Sequence, residues 1–315
     1  MALFIGKRLV GMLVTLLVAS FLVYGALYVA PGSPLAFILG HRGATAATIA
    51  AVKAQYHLND SFPVAYWRWL LGVVQGNFGQ SYVQNESVVD VLKPRVVTSL
   101  FVVSYASLLI FVFGIGSGAL ASLGPKRLRP AVLVVVTVAM AVPAFVWAVV
   151  LIIVFGLDLG WFPTLGQGSG FFGDLYHLSL PAFALALSAV AFMSRVTAAA
   201  VDHELKSEHV ETARARGIPE RLVVRKHVLR NAWIPVSTVA GLSVASLIAG
   251  DAIVEVAFGL NGVGSLLVQS VEAKDFPVVQ MIVLLLAGVF VVVNMIVDVG
   301  YALADPRVRI GASPQ

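Results

Sequence analysis

Cysteine is absent from the 315-residue chain, which excludes disulfides and thiolate metal sites and leaves the redox compartment open. Charge is scarce too: 12% of residues are Asp, Glu, Lys or Arg against 59% hydrophobic, with a mean hydropathy of +0.92. So few charges cannot cover a soluble globule, and the composition is that of an integral membrane protein. No glycine-rich run ends in Gly-Lys-Ser/Thr, so the chain has no phosphate-cradling loop, and any ATP is hydrolysed by another chain. His203-Glu204-Leu205-Lys206-Ser207 begins like a zinc-protease helix but has Ser207 where the second histidine ligand would stand. No metal, cofactor or catalytic residue is expected. The pI of about 9.6 comes without any nucleic-acid motif, and the basic residues sit in short loops, where they set orientation.

What the chain does have is apolar runs of about 20 residues, the length a helix needs to cross roughly 30 Å of hydrocarbon. They are unlike the weak alternating strands of a barrel. The expected fold is all-α and membrane-embedded, with about six transmembrane helices. The first, Leu9 to Ala30, follows Lys7-Arg8 as a signal peptide would, but it exceeds the about 7–15 residues of a signal core and reads as a retained helix. The others are Thr98 to Leu123, Ala131 to Phe155, Leu178 to Ala200, Trp233 to Phe258 and Val278 to Ala304. Between the first two lies a long mixed stretch, Pro31 to Val97, with Pro31, Pro34, Pro63 and Pro94 as breakers and a short helix from Ala44 to Tyr56. Within it Phe62 to Val74 gathers Tyr66, Trp67 and Trp69 beside Leu70 and Leu71. That pattern suits either the headgroup zone or ordinary loop packing. The expected organisation is a first helix at 1–30, an extracytoplasmic segment at 31–97, a five-helix core at 98–304 holding a charged loop at 202–232, and a tail at 305–315.

Lys and Arg set the orientation. Lys7 and Arg8, then Lys126, Arg127 and Arg129, then Lys206 through Arg230, then Arg307 and Arg309 fall on one side; the loop from Trp161 to His177 has none, and that from Gly259 to Pro277 has only Lys274. The positive-inside rule places both termini and the 202–232 loop in the cytoplasm. Arg42, Lys53, Arg68, Lys93 and Arg95 do not overturn this, because loops beyond about 60 residues cross largely regardless of charge.

The charged loop is the most distinctive segment. From Asp202 to Arg216 it contains acceptable helix formers, with Asp202, Glu204 and Glu208 early and Arg214 and Arg216 late, the order the helix macrodipole favours. A short helix is expected there. Gly217 suits the left-handed residue that ends it, and Pro219 the first turn of a second helix reaching Arg230. Two helices meeting at a fixed bend make a rigid projection, which passes on a displacement that a flexible loop would absorb. Small Ala213 and Ala215 leave room for a partner surface, and Glu211 is free to pair within the loop.

The string Glu211-Thr212-Ala213-Arg214-Ala215-Arg216-Gly217, with His227 ten positions after Gly217 and Arg230-Asn231-Ala232 leading into Pro235, resembles the "EAA" loop of ATP-binding cassette (ABC) importer permeases. Thr212 stands where the general motif has alanine. The resemblance covers nearly the whole chain and is more specific than that. Ala30-Pro31-Gly32-Ser33-Pro34, Tyr66-Trp67-Arg68-Trp69-Leu70 before Gly76-Asn77-Phe78-Gly79, Gly160-Trp161-Phe162-Pro163, Asp275-Phe276-Pro277-Val278-Val279-Gln280 and Tyr301-Ala302-Leu303-Ala304-Asp305-Pro306-Arg307 are similar to segments of the first permease subunit in dipeptide and oligopeptide importers. In the first of these a serine replaces an acid. The resemblance implies that Glu211 to Gly217, with His227, docks an ATPase. It also implies a homologous second permease, two ABC ATPase subunits, an extracytoplasmic substrate-binding protein and a peptide cargo, with nickel or another small solute as alternatives.

Ionisable groups inside spans are costly and often functional. Asp251 and Glu255 lie four apart on one helix face, and Asp298 lies in the last span. A proton or cation relay, as in an ion-coupled secondary transporter, competes with helix packing, in which Asp298 pairs with Arg195 or with Lys or Arg at the cytoplasmic surface; packing is the preferred reading. Such a transporter would also call for inverted repeats and broken helices, neither of which is evident in the sequence. Gly114, Gly116 and Gly118, and Gly241 with Ser243 and Ala245, read as close helix contacts.

Overall fold

The computed structural model describes residues 2–29, 45–55 and 59–304. Ala30 to Pro34, the tail from Asp305 and the side chain of Asp298 lie outside the described residues. In chain order the helices are α1 (Ala2–Val29), α2 (Ala46–Gln55), α3 (Phe62–Val74), α4 (Val88–Leu123), α5 (Leu128–Ala141), α6 (Ala144–Asp158), α7 (Gly170–His177), α8 (Ser179–Leu205), α9 (Glu208–Ala215), α10 (220–257), α11 (Val263–Glu272) and α12 (Phe276–Ala304). Pairing outside helices, among the described residues, is limited to a bridge between Gln80 and Ser87. Four helices are long and apolar enough to cross a membrane, in α1, α4, α8 and α12; the bent pair α5–α6 and the bent α10 bring the number to six if each crosses once. The all-α fold and the span number follow the composition.

Three of the expected spans are built differently from expectation. Helix α4 starts at Val88 rather than Thr98, and Pro94 lies inside it. A proline there removes one ladder bond and crowds the preceding turn. The carbonyl that loses its ladder donor is that of Asp90; the Arg95 guanidinium donates at 2.7 Å to the next carbonyl, that of Val91. The expected single span Ala131 to Phe155 is two helices bent by 104°. Its break is Val142-Pro143, both in extended conformation, because a residue before proline is pushed out of the α region and proline lacks an N–H. Broken helices are therefore present. Helix α10 is also bent, by 51° beyond Leu247. Just before the bend Ser243 and Ser246 donate to the carbonyls of Val239 and Ser243, back-bonding that bends helices.

The chain divides into two compact units, 1–99 with 261–291 and 100–260 with 292–315. In the first, α3 packs on α1 through rings: Phe62 and Tyr66 meet Phe21 and Tyr24 edge-on, and Tyr66 Oη lies 2.9 Å from Ser20 Oγ. The aromatic segment thus packs one half-buried face on a neighbouring helix, while Trp67 stays exposed. A second cluster joins Val88, Val91 and Leu92 to Val263, Leu266, Val278 and Ile282. Beside it the buried Asp275 carboxylate accepts from the Ser81 hydroxyl and, at 3.0 Å, from the Tyr82 N–H.

In the second unit α8 is the central helix. Its buried side chains include Ala182, Ala184, Ala186, Ala191, Ser194 and Ala198, small enough for neighbours to approach closely. Gly114 and Gly118 use that room. A Cβ on Gly118 would stand 2.4 Å from the Ser194 carbonyl oxygen, and one on Gly114 2.8 Å from Met193 Cβ. Gly116, by contrast, meets nothing within 4 Å, so the expected contact there is absent. Ser117 and Ser122 donate to Ser194 Oγ and the Ala198 carbonyl, bonds worth about 0.6–2 kcal/mol each between membrane helices. Asp251 and Glu255 are buried in this unit, and Asp251 Oδ1 has no partner. Arg195 reaches Thr137 Oγ1 at 3.5 Å.

Candidate functional site

The charged loop is built differently from the two short helices expected of it. Helix α8 runs through Asp202 to Leu205, and a break at Lys206-Ser207 precedes α9. Ser207 is extended, and its hydroxyl donates to the Glu204 carbonyl at 2.6 Å while its own carbonyl accepts from Val210 and Glu211. One serine thus ends a helix and starts the next, and Glu208 and Glu211 fall in the first turn of α9, where the macrodipole favours acids. The second helix does not stop at Arg230 but continues into the fifth apolar run. It does so through a π-helical turn, Val224–Val228.

Helix α9 is two-faced. Val210 and Ala213 are buried, and with Val201, Val223, Val228 and Ala232 they form a small apolar core. Ala213 is therefore small to suit its own chain, not a partner. Glu208, Glu211, Thr212, Arg214, Ala215 and Arg216 are exposed. Gly217 has φ +71°, a left-handed conformation costly for other L-residues, and its N–H donates to the Arg214 carbonyl at 2.9 Å. Pro219 then precedes the first turn of α10.

A clamp closes the bend. Arg214 Nε and Nη2 donate to Glu220 Oε2 and Oε1 at 3.1 and 2.6 Å. This bond holds the Glu220 carboxyl below its ordinary range; the same bond, with Glu211 contributing, raises the Arg214 guanidinium above its own. Both groups are exposed, so salt screens the pair, and its value lies in geometry more than stability. At the far side Arg129 of α5 pairs with Asp202 of α8 at 2.5 Å.

His227 sits partly buried in the π-helical turn, its ring 6.3 Å from that of His209. Glu204 and Asn231, named in the sequence as an early acid and as part of the Arg230-Asn231-Ala232 string, meet here with His209, which no motif singled out. Glu204 Oε2 lies 3.3 Å from His209 Nε2 and 3.4 Å from Asn231 Nδ2, and Asn231 Nδ2 is 3.1 Å from the same ring nitrogen. The Arg214–Glu220 clamp went unread as well. Its only signal was an Arg and a Glu flanking Gly217-Ile218-Pro219.

Four to six apolar spans, with a charged two-helix segment between two of them, define a multi-pass membrane protein. A family model for the binding-protein-dependent transport system inner membrane component matches residues 94–310, and a second, for the N-terminal part of such components, matches 1–103. The chain belongs to this family: it is the multi-pass inner-membrane permease of an ABC importer, a transport subunit and not an enzyme. The glutathione transport system permease protein GsiC of Escherichia coli (strain K12) is 36% identical over 304 residues, spanning 96% of this chain and 97% of that one. GsiC of Salmonella paratyphi A is 36% identical over 305 residues, with the same coverage. Among solved structures, an inward-facing MetNI methionine ABC transporter matches 68% of this chain and 96% of its own with a TM-score of 0.58 at 18% identity. An amino acid ABC transporter solved with histidines matches 68% and 94% with a TM-score of 0.56 at 15% identity. These two speak for the fold alone.

Proposed function

We propose that this chain lines half of a peptide translocation path and that α9 is the lever by which partner ATPases drive it. The observation that carries this reading is the two-faced helix: Val210 and Ala213 hold α9 against its own chain, while Glu211, Thr212, Ala215 and Arg216 stand free for another surface. The left-handed Gly217 and the Arg214–Glu220 clamp fix its angle. In this reading both termini and α9 are cytoplasmic and residues 31–97 are extracytoplasmic, as the Lys and Arg distribution favours. A homologous second permease completes the path, two ABC ATPases dock inside, and a substrate-binding protein delivers cargo outside. Closure of the ATPases moves α9, and α9 swings the spans between inward- and outward-facing states. Dipeptides or short oligopeptides are the proposed cargo, a class supported by similarity along nearly the full chain to permeases named for glutathione.

The absence of cysteine makes the test clean. In intact cells Asn85→Cys should react with an impermeant thiol reagent and Glu208→Cys should not. In the assembled complex Thr212→Cys should cross-link to an ATPase subunit. The reverse labelling pattern overturns the orientation, and no cross-link from any exposed position of α9 overturns the docking role.

A further inference from the structure

Three helices meet at one ring nitrogen. Glu204 ends α8, His209 opens α9 and Asn231 belongs to α10, and His209 Nε2 lies 3.3 Å from Glu204 Oε2 and 3.1 Å from Asn231 Nδ2. A single imidazole nitrogen has one hydrogen-bonding direction: protonated it donates, unprotonated it accepts. Bonding to Glu204 requires Nε2–H; bonding to the Asn231 amide requires a bare Nε2. The two bonds exclude each other. We infer that Glu204, His209 and Asn231 are positioning residues forming a node that braces α9 on α8 in one hydrogen-bond arrangement and on α10 in the other.

In the first arrangement His209 donates to Glu204, and the Asn231 amide has to turn its N–H away. In the second, Asn231 donates one N–H to His209 Nε2 and the other to Glu204 Oε2, which is 3.4 Å away. A doubly protonated ring can only donate from Nε2 and so selects the first arrangement, whereas a singly protonated ring takes either, according to which nitrogen carries its proton. The other groups around the ring are Ser207 Oγ at 3.4 Å and, from the π-helical turn, the ring of His227. His203, Lys206, Glu208, Arg225, Lys226 and Arg230 nearby are exposed to solvent. Glu204 is the better shielded partner, at 19% side-chain exposure against 43% for His209.

This inference rests on α9 being the ATPase-driven lever, because only then does its bracing affect transport. The test uses the reconstituted complex of both permeases and both ATPases, and reads the stimulation of ATP hydrolysis by the binding protein as purified, from about pH 6 to about pH 8. Wild-type stimulation should change with pH. His209→Gln, whose amide donates to Glu204 and accepts from Asn231 at once, should keep the stimulation and flatten its pH profile. His209→Ala should lower it about five-fold at every pH, the factor worth one net hydrogen bond. A His209→Gln profile that follows wild type, or wild-type stimulation in His209→Ala, overturns the node. The Thr212→Cys cross-link, run in the same complexes, separates the two readings. A cross-link that forms beside unchanged stimulation sinks the node alone, whereas its absence in every complex sinks the docking reading.

Discussion

Two of the bends between helices, at Val142-Pro143 and at Gly217, are held by opposite means. At Val142-Pro143, in an apolar run, the bend frees carbonyls that have no water to turn to, and side chains supply the donors: Ser188 Oγ reaches the Val142 carbonyl at 2.7 Å and Trp147 Nε1 the Ala139 carbonyl at 3.3 Å. Irregular backbone at membrane depth is tolerated only with such partners. At Gly217, among charges, the bend is made by a left-handed residue and fixed by the exposed Arg214–Glu220 pair. The first bend is bonded inward through its backbone; the second is set by conformation and surface charge, leaving its outer face available.

The largest effect should come from Gly217→Val. At φ +71° a β-branched residue costs about 1–2 kcal/mol of backbone strain, and relieving it redirects α9. The complex should still insert and bind its partners outside, but binding-protein-stimulated hydrolysis and uptake should separate by about ten-fold, the factor corresponding to roughly 1.4 kcal/mol. Normal coupling in this variant would remove Gly217 from the lever. Next comes Ser188→Ala, which strands the Val142 carbonyl and should destabilise the folded protein by about 1–2 kcal/mol, seen as an earlier transition in a denaturing-detergent titration. Trp147→Phe, losing the longer bond, should cost less, about 1 kcal/mol. Equal stability of wild type and both variants would show that the broken pair has other donors.

The smallest effect should come from Glu220→Gln. Since Arg214 holds the Glu220 carboxyl below its ordinary range, the clamp contributes stability above the unfolded carboxylate value and loses it only as pH falls through the lowered folded value. Between about pH 6 and about pH 8 it should stay closed, so the variant's pH profile should parallel wild type at lower coupling. A Glu220→Gln profile that is flat where wild type varies would shift the pH response from His209 to the clamp.

Span number, the aromatic segment and the left-handed glycine were legible because each has a local cause: apolar length, composition, and a glycine between a basic helix end and a proline. The break at Pro143 had its signal in plain view, a proline inside an apolar run, but run length outweighed it. Ala213 was misread because a small residue in a charged segment suits a partner and a core equally, and only the burial of Val210 beside it decides. The Glu204–His209–Asn231 node was not legible at all. Its members lie up to 27 positions apart, and no periodicity relates the end of one helix to the middle of another.

The bond from Ser81 to Asp275 joins residues 194 apart. Chains are made from the N-terminus, so the turn at 79–88 is synthesised well before its carboxylate acceptor exists. The unit containing it has its first piece at 1–99 and its second at 261–291, with residues 100–260 of the other unit made between them. A chain halted before residue 275 would therefore carry a nearly finished second unit and an unfinished first one, with the Ser81 hydroxyl and Tyr82 N–H still awaiting their acceptor. Completion of the first unit thus waits until residues 100–260 have been made, so a quality-control step that senses the turn at 79–88 would report that synthesis has passed Asp275.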